Sequence, residues 1–314
     1  MGYLPGLDGI RAIAVLGVMA YHADVTWISG GFLGVDVFFV LSGFLITTLI
    51  LEEYDRSGGV RFSQFYLRRA RRLLPPVILL LAVVAIAAAF VYRDVARQVR
   101  ADSLASLFYV NNWKYIVDQA SYFEFIGRPP LLKHLWSLSV EEQFYLAWPA
   151  VAYLLVRRWG RRGVGWIALA LALASTAWMT VLSVRNGFPD YADPSRAYFG
   201  TDSHAMGLLV GAALATAWRP GRVRAAIPAG ARALVTGTGV LALLGVLGFF
   251  LLVGEFTPWM YTGGGFLALA VVVAVLIVTA THPASPLGRW LGTQPWRYTG
   301  QRSYGLYLWH WPIF

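Results

Sequence analysis

The stretch GIRAIAVLGVMAYH, residues 9–22, holds two ionisable side chains in an otherwise apolar run, Arg11 and His22. Eleven steps of about 100° bring a helix back to within about 20° of the same face, about 16 Å further along its axis. The two side chains therefore line one stripe. Arginine at one end suits an anionic ligand, and histidine at the other suits proton transfer. The alternative is two helix-end residues, each reaching for its own membrane surface. Asp36, in GGFLGVDVFFVLSGFLIT, enters the second apolar run from the side at which His22 arrives. A carboxylate there is expected to orient the imidazole and raise its basicity; a carboxylate facing water near a helix start is the competing reading.

Two further stretches carry charge at the edge of, or inside, apolar runs. FYLRRARRLLPP places Arg68, Arg69, Arg71 and Arg72 just before the third run. Arg68, Arg69 and Arg72 fall within one helical turn, so at least two guanidinium forks can face one phosphate-bearing ligand; the same cluster also serves as a topology signal or a lipid-headgroup contact. HLWSLSVEEQFYLAWP, residues 134–149, puts Ser137 and Glu141 on one helical face with Glu142 beside them. Adjacent carboxylates in an apolar span are costly and should face a polar cavity, unless Ser137 and Glu141 form an inter-helix hydrogen-bond knot. His134 and Trp136 open this segment and are expected to contact substrate with Ser137 and Glu142. His310, among Tyr307, Trp309 and Trp311, reads as part of an aromatic belt.

The elements that position these residues are transmembrane helices. Of 314 residues 58% are hydrophobic and 13% charged, outside the usual range of soluble domains. Apolar runs near the ~20 residues needed to cross a bilayer recur along the chain. Spans are expected at about 8–24, 32–51, 73–92, 135–156, 164–184, 199–218, 233–253 and 260–281, with a ninth starting near 304. This predicts an all-α polytopic helix bundle forming one domain over 1–314. The first run lacks a basic leader and a cleavage site and is read as retained. The chain stops part-way into the ninth element, SYGLYLWHWPIF, so truncation at that end is expected.

Charge sets the sidedness. The segment 104–117, LASLFYVNNWKYIV, is short and polar; if it does not span, the loops on the side of 52–72 hold 17 Lys or Arg and the opposite loops hold 8. If it spans, the count becomes 10 against 14, so it is placed outside the membrane core within a connection from 93 to 134. The N-terminus and the arginine cluster are then cytoplasmic. The net charge of +10 is thereby assigned to topology rather than to nucleic acid. The absence of cysteine excludes thiolate nucleophiles, thiolate metal sites and palmitoyl anchors, and neither metal-ligand spacing nor a nucleotide-binding loop is present.

In this order, LDGIRAIAVLGVMAYH, GGFLGVDVFFVLSGFLIT, FYLRRARRLLP, HLWSLSVEEQFYLAWP and SYGLYLWHWPI resemble the motifs of acyltransferase family 3, the bacterial membrane O-acyltransferases. The resemblance implies a bundle of about ten helices, of which nine are present here, in the bacterial inner membrane. It implies transfer of an acyl group, often acetyl, from acyl-coenzyme A to hydroxyls of sugars, cell-envelope glycans or glycosylated natural products. Arg11 and His22 become the essential pair, Arg69 and Arg72 the Arg-x2-Arg element, and Ser137 and Glu141 the Ser-x3-Glu element. Where many members carry arginine in the YFGTDSHA stretch, this chain has His204. The expected mechanism has Arg68, Arg69 and Arg72 on the donor phosphates, Arg11 along the pantetheine route, and His22 as general base, oriented by Asp36 and supported by Glu141. A transporter or flippase for a lipid-linked or anionic substrate is the alternative, since intramembrane charges also mark translocation paths.

Overall fold

The computed structural model describes residues 2–123 and 128–314. Thirteen α-helices follow one another, with no strand among the described residues: α1 Pro5–His22, α2 Gly34–Ser57, α3 Phe62–Phe90, α4 Ala96–Leu107, α5 Asn111–Val117, α6 Leu135–Arg185, α7 Ser195–Phe199, α8 Met206–Ala217, α9 Ala229–Leu252, α10 Pro258–Thr262, α11 Gly265–Thr281, α12 Pro286–Leu291 and α13 Trp296–Ile313. Proline at the first position of α1 starts it without losing a needed donor. Gly58, at φ 68°, ends α2 in the left-handed conformation that side chains resist.

Four of these helices, α2, α3, α6 and α9, are long and apolar enough to cross a bilayer by length and composition. Their burial differs with position. In α2, 78% of the apolar window is buried, against 28% in α3 and 22% in α9, so α2 forms the centre and the others the rim. Rim residues such as Leu79, Ile86, Leu154, Leu173, Leu241 and Leu252 point outward, which suits lipid and not water. The centre is drawn together by small residues. A Cβ on Gly43 of α2 would overlap the Leu208 carbonyl of α8, and one on Gly211 of α8 would overlap the Val40 carbonyl of α2; close helix approach of this kind is how membrane helices gain packing.

The predicted break near 157–162 is reduced to one residue, Gly160, with φ 65° and ψ −174° inside α6. The halves fold back on each other: Gln143 accepts from Thr201 at 2.7 Å, and Trp178 donates to the neighbouring Asp202 at 2.7 Å. Three other bounds differ from the sequence reading. The arginine segment is helical, because α3 begins at Phe62 rather than near 73. The sixth run is helical only from Met206, with 200–205 irregular; Gly200, Ser203 and His204 are buried in protein, where such backbone is tolerated, and Asp202 is exposed. The last helix begins at Trp296 rather than near 304, since its polar first turns pack on α1: a Cβ on Gly300 would overlap the Asp8 carbonyl.

Loops sort onto two faces as the charge count requires. Asp55 pairs with Arg161 at 2.7 Å and lies near Arg219 and Arg222, and Tyr3 accepts from Arg297 and Gln301. At the other end Gly30 donates to Phe250, Ser29 to Val253, and Tyr122 to Ser195. The segment 104–117 stays with this second group, Asn112 donating to Phe199 and Thr201.

Candidate active site

A cavity of about 660 Å³ opens between α2, α3, α6 and α13. Arg11, Arg68, Arg69 and Arg72 line it at the arginine-rich end, and Ser137, Glu141, Glu142 and Tyr307 line it further in. The helical start of α3 is what turns the arginine cluster into a wall. The Arg69 guanidinium lies 3.5 Å above the Tyr145 ring, and its buried Nε has no hydrogen-bond partner. Arg11 uses one arm on Asp8, Nη1 to Oδ1 at 3.1 Å. A multiply charged anion fits this set, because Arg68, Arg69 and Arg72 form no ion pair with a carboxylate among the described residues and their guanidinium groups are left for it. Glu141 accepts hydrogen bonds from Ser42 and, at 2.7 Å, from Tyr145. It is held in the cavity wall and does not reach His22.

His22 closes α1 at the other face, and its partner is His310. His310 Nδ1 lies 2.7 Å from the Tyr307 carbonyl, which can only accept, so Nδ1 carries the proton and the neutral ring's Nε2 is an acceptor. His22 Nδ1 lies 2.8 Å from that Nε2 and must therefore donate. The lone pair of His22 is thereby fixed on Nε2, which faces the Tyr122 hydroxyl at 3.5 Å. These tautomers follow from the bonding pattern. The arrangement delivers an unprotonated imidazole nitrogen with its other nitrogen held, the form a general base needs. Trp311 and Tyr21 wall the ring, with centroids 4.6 and 5.1 Å away.

Asp36 does not orient His22. Its Oδ1 lies 2.8 Å from His204 Nε2, while His204 Nδ1 meets the Tyr198 carbonyl at 2.7 Å. Both side chains are almost wholly buried. Asp36 faces α8 across the α2 crossing because its position on α2 shares the face of Val40 and Gly43, and His204 sits where α8 begins. Trp136 also departs from expectation. It is buried with its indole stacked on His204, centroids 5.8 Å apart, and it lines no part of the cavity. His134 is buried too, its Nε2 3.0 Å from the Leu308 carbonyl. Ser137 lines the cavity but spends its hydroxyl on Tyr307, 2.6 Å away. The residue that sequence reasoning missed is His310; its only signal was an ionisable side chain among apolar and aromatic residues in a helix, the pattern that already singled out His22.

A family model described as an acyltransferase domain matches residues 4–314. The chain belongs to this acyltransferase family. Within the acyltransferase family, it is 43% identical over 314 residues to peptidoglycan O-acetyltransferase OatA of Listeria monocytogenes serovar 1/2a, covering 99% of this chain and 49% of that protein. It is 41% identical over 315 residues to YrhL of Bacillus subtilis strain 168, provisionally named a peptidoglycan O-acetyltransferase, covering 99% and 48%. It is 40% identical over 314 residues to a provisionally named O-acetyltransferase of Staphylococcus aureus strain COL, covering 100% and 51%. The chain thus spans about half the length of the curated relatives it matches. No solved structure matches it.

Proposed function

We propose that the protein moves an acetyl group from acetyl-coenzyme A, entering at the arginine-lined face, to a hydroxyl of a cell-wall glycan or its carrier at the opposite face. The reading places nine spans in the bacterial inner membrane with the N-terminus and the arginine cluster cytoplasmic, following the 17-to-8 charge bias. The observation that carries it is the order of the groups: a cationic cavity mouth, a polar floor at Ser137 and Tyr307, and one turn beyond it the His310–His22 pair. The names of the relatives support acetyl as the group and peptidoglycan as the acceptor class.

Arg68, Arg69 and Arg72 hold the donor's phosphates, with Arg11 a further cation along the pantetheine arm. His22 Nε2 takes the proton of the acceptor hydroxyl as the oxygen bonds to the acyl carbon and the carbon–sulfur bond breaks. The thiolate that leaves recovers a proton, and His22 returns to its neutral form. His310 holds the imidazole in the required tautomer throughout. Direct attack is favoured over an acyl-enzyme, because the chain has no cysteine and no serine with a triad-like neighbourhood in sequence; an acyl-histidine is the alternative, which a radiolabelled acyl-protein able to pass its label to the acceptor would reveal.

Binding of coenzyme A to the purified protein tests the donor assignment. Each charge-assisted contact is worth about 1.5–3 kcal/mol, so Arg69→Ala or Arg72→Ala should weaken binding about 10- to 150-fold. Arg69→Lys should restore only part of it, since a point charge lacks the fork. A transporter of an unrelated substrate would bind no coenzyme A, and equal binding by all variants would remove the arginine wall from the mechanism.

A further inference from the structure

The donor cavity and His22 do not meet. Phe38, Ser137 and Tyr307 line the cavity, whereas His22, His134 and His310 do not. The Tyr307 ring stands between the two groups, its centroid 6.4 Å from Phe38 on one side and 5.8 and 5.4 Å from His134 and His310 on the other. Its hydroxyl is latched: it lies 2.9 Å from the His134 carbonyl and 2.6 Å from the Ser137 hydroxyl, which itself lies 3.2 Å from that carbonyl, so the two hydroxyls share one acceptor and bond to each other. Tyr307 comes from α13 and Ser137 from α6, so the latch ties two helices between the cavity and the His310–His22 pair. Behind it the space around His22 is walled by aromatic rings.

We propose that Ser137 and Tyr307 form a gate between the donor cavity and His22, and that the gate selects short acyl groups. The inference rests on the acyl-transfer reading and adds a specificity determinant to it. A thioester reaches His22 only by displacing the Tyr307 ring from its latch. A short acyl group passes with a tilt of the ring about its side-chain bonds. A longer chain needs the ring withdrawn and then meets Trp311, Tyr21 and His310 beyond it. The Tyr307 carbonyl meanwhile holds His310, so the side chain can swing while the backbone keeps the base's tautomer.

The absence of native cysteine allows a test that needs no turnover. In His310→Cys, a small impermeant thiol reagent supplied on the arginine-cavity side of sealed vesicles should react slowly. Adding Tyr307→Ala should raise the rate at least ten-fold, and Ser137→Ala, which removes one of the two latch contacts but keeps the ring and its bond to the His134 carbonyl, should raise it less. An unchanged rate in both double variants overturns the gate. With His310 intact, the ratio of butyryl-coenzyme A to acetyl-coenzyme A turnover, each as kcat/KM, should rise at least ten-fold in Tyr307→Ala. A ratio unchanged while coenzyme A binding persists overturns the size selection. If labelling responds as expected but the wild-type chain turns over no acyl-coenzyme A, the gate stands and the acyl-transfer reading falls.

Discussion

Removing the acceptor that His310 offers to His22 should slow acyl transfer while leaving donor binding intact. The 2.8 Å bond from His22 Nδ1 to His310 Nε2 is what places the lone pair on His22 Nε2. A typical hydrogen bond contributes about 0.5–1.5 kcal/mol net, so its loss removes a tautomer bias of about two- to thirteen-fold at 1.36 kcal/mol per decade. His310→Leu should therefore lower kcat by about that factor, and by more where the unheld ring rotates, up to the 10²–10⁴ range attributed to general-base catalysis as a whole. His310→Gln should recover much of the loss. Its amide nitrogen can donate to the Tyr307 carbonyl and its oxygen can accept near the position of Nε2, reproducing both bonds. The assay is acetyl turnover in purified protein at saturating acetyl-coenzyme A, with coenzyme A affinity measured on the same samples. Leu and Gln variants slowed equally, or a Leu variant with unchanged kcat, would refute the tautomer argument.

Three further outcomes follow from the packing. Gly43→Ala forces a Cβ against the Leu208 carbonyl and should destabilise the detergent-purified protein by about 1–3 kcal/mol, seen as a lower Tm. Asp36→Leu leaves His204 Nε2 buried and unpaired, at a cost of about 1–3 kcal/mol; Asp36→Asn keeps a side-chain amide that can pair with Nε2 and should cost less by the same thermal measurement. For sidedness, single-cysteine variants at exposed positions report directly: Thr26→Cys should react with an impermeant thiol reagent on intact cells, and Ser57→Cys should react only after the membrane is opened. The reverse pattern would put the arginine cavity outside.

The all-helical membrane character and the two-faced sorting of loops were legible from hydropathy and arginine placement. Lys114, Asn111 and Asn112 marked 104–117 as non-spanning because charge and amide groups are costly in lipid, and they are instead bonded within the second loop group. Helix ends were less legible. Polar turns at 62–72 and 296–303 continue their helices because they pack on protein or face the headgroup zone, where hydropathy carries no signal. Within the site, Arg11 and His22 do lie on one helix, α1, and Arg68, Arg69 and Arg72 do share a cavity wall. Asp36 was assigned to His22 from its place in the chain, yet which neighbour a buried carboxylate meets depends on helix rotation, and α2 turns it towards His204. His310 lies 288 residues from His22, and no local pattern joins them.

The central claim is that His22 transfers an acyl group delivered from the arginine-lined face. Its most direct test is radiolabelled acetyl-coenzyme A supplied to that face of sealed membrane vesicles, with a mixed pool of glycan hydroxyl acceptors, for the wild-type chain and His22→Ala at equal expression. The account predicts labelled acceptor from the wild type and at least a hundred-fold less from His22→Ala, with coenzyme A binding retained in both. Equal label from the two proteins would contradict it.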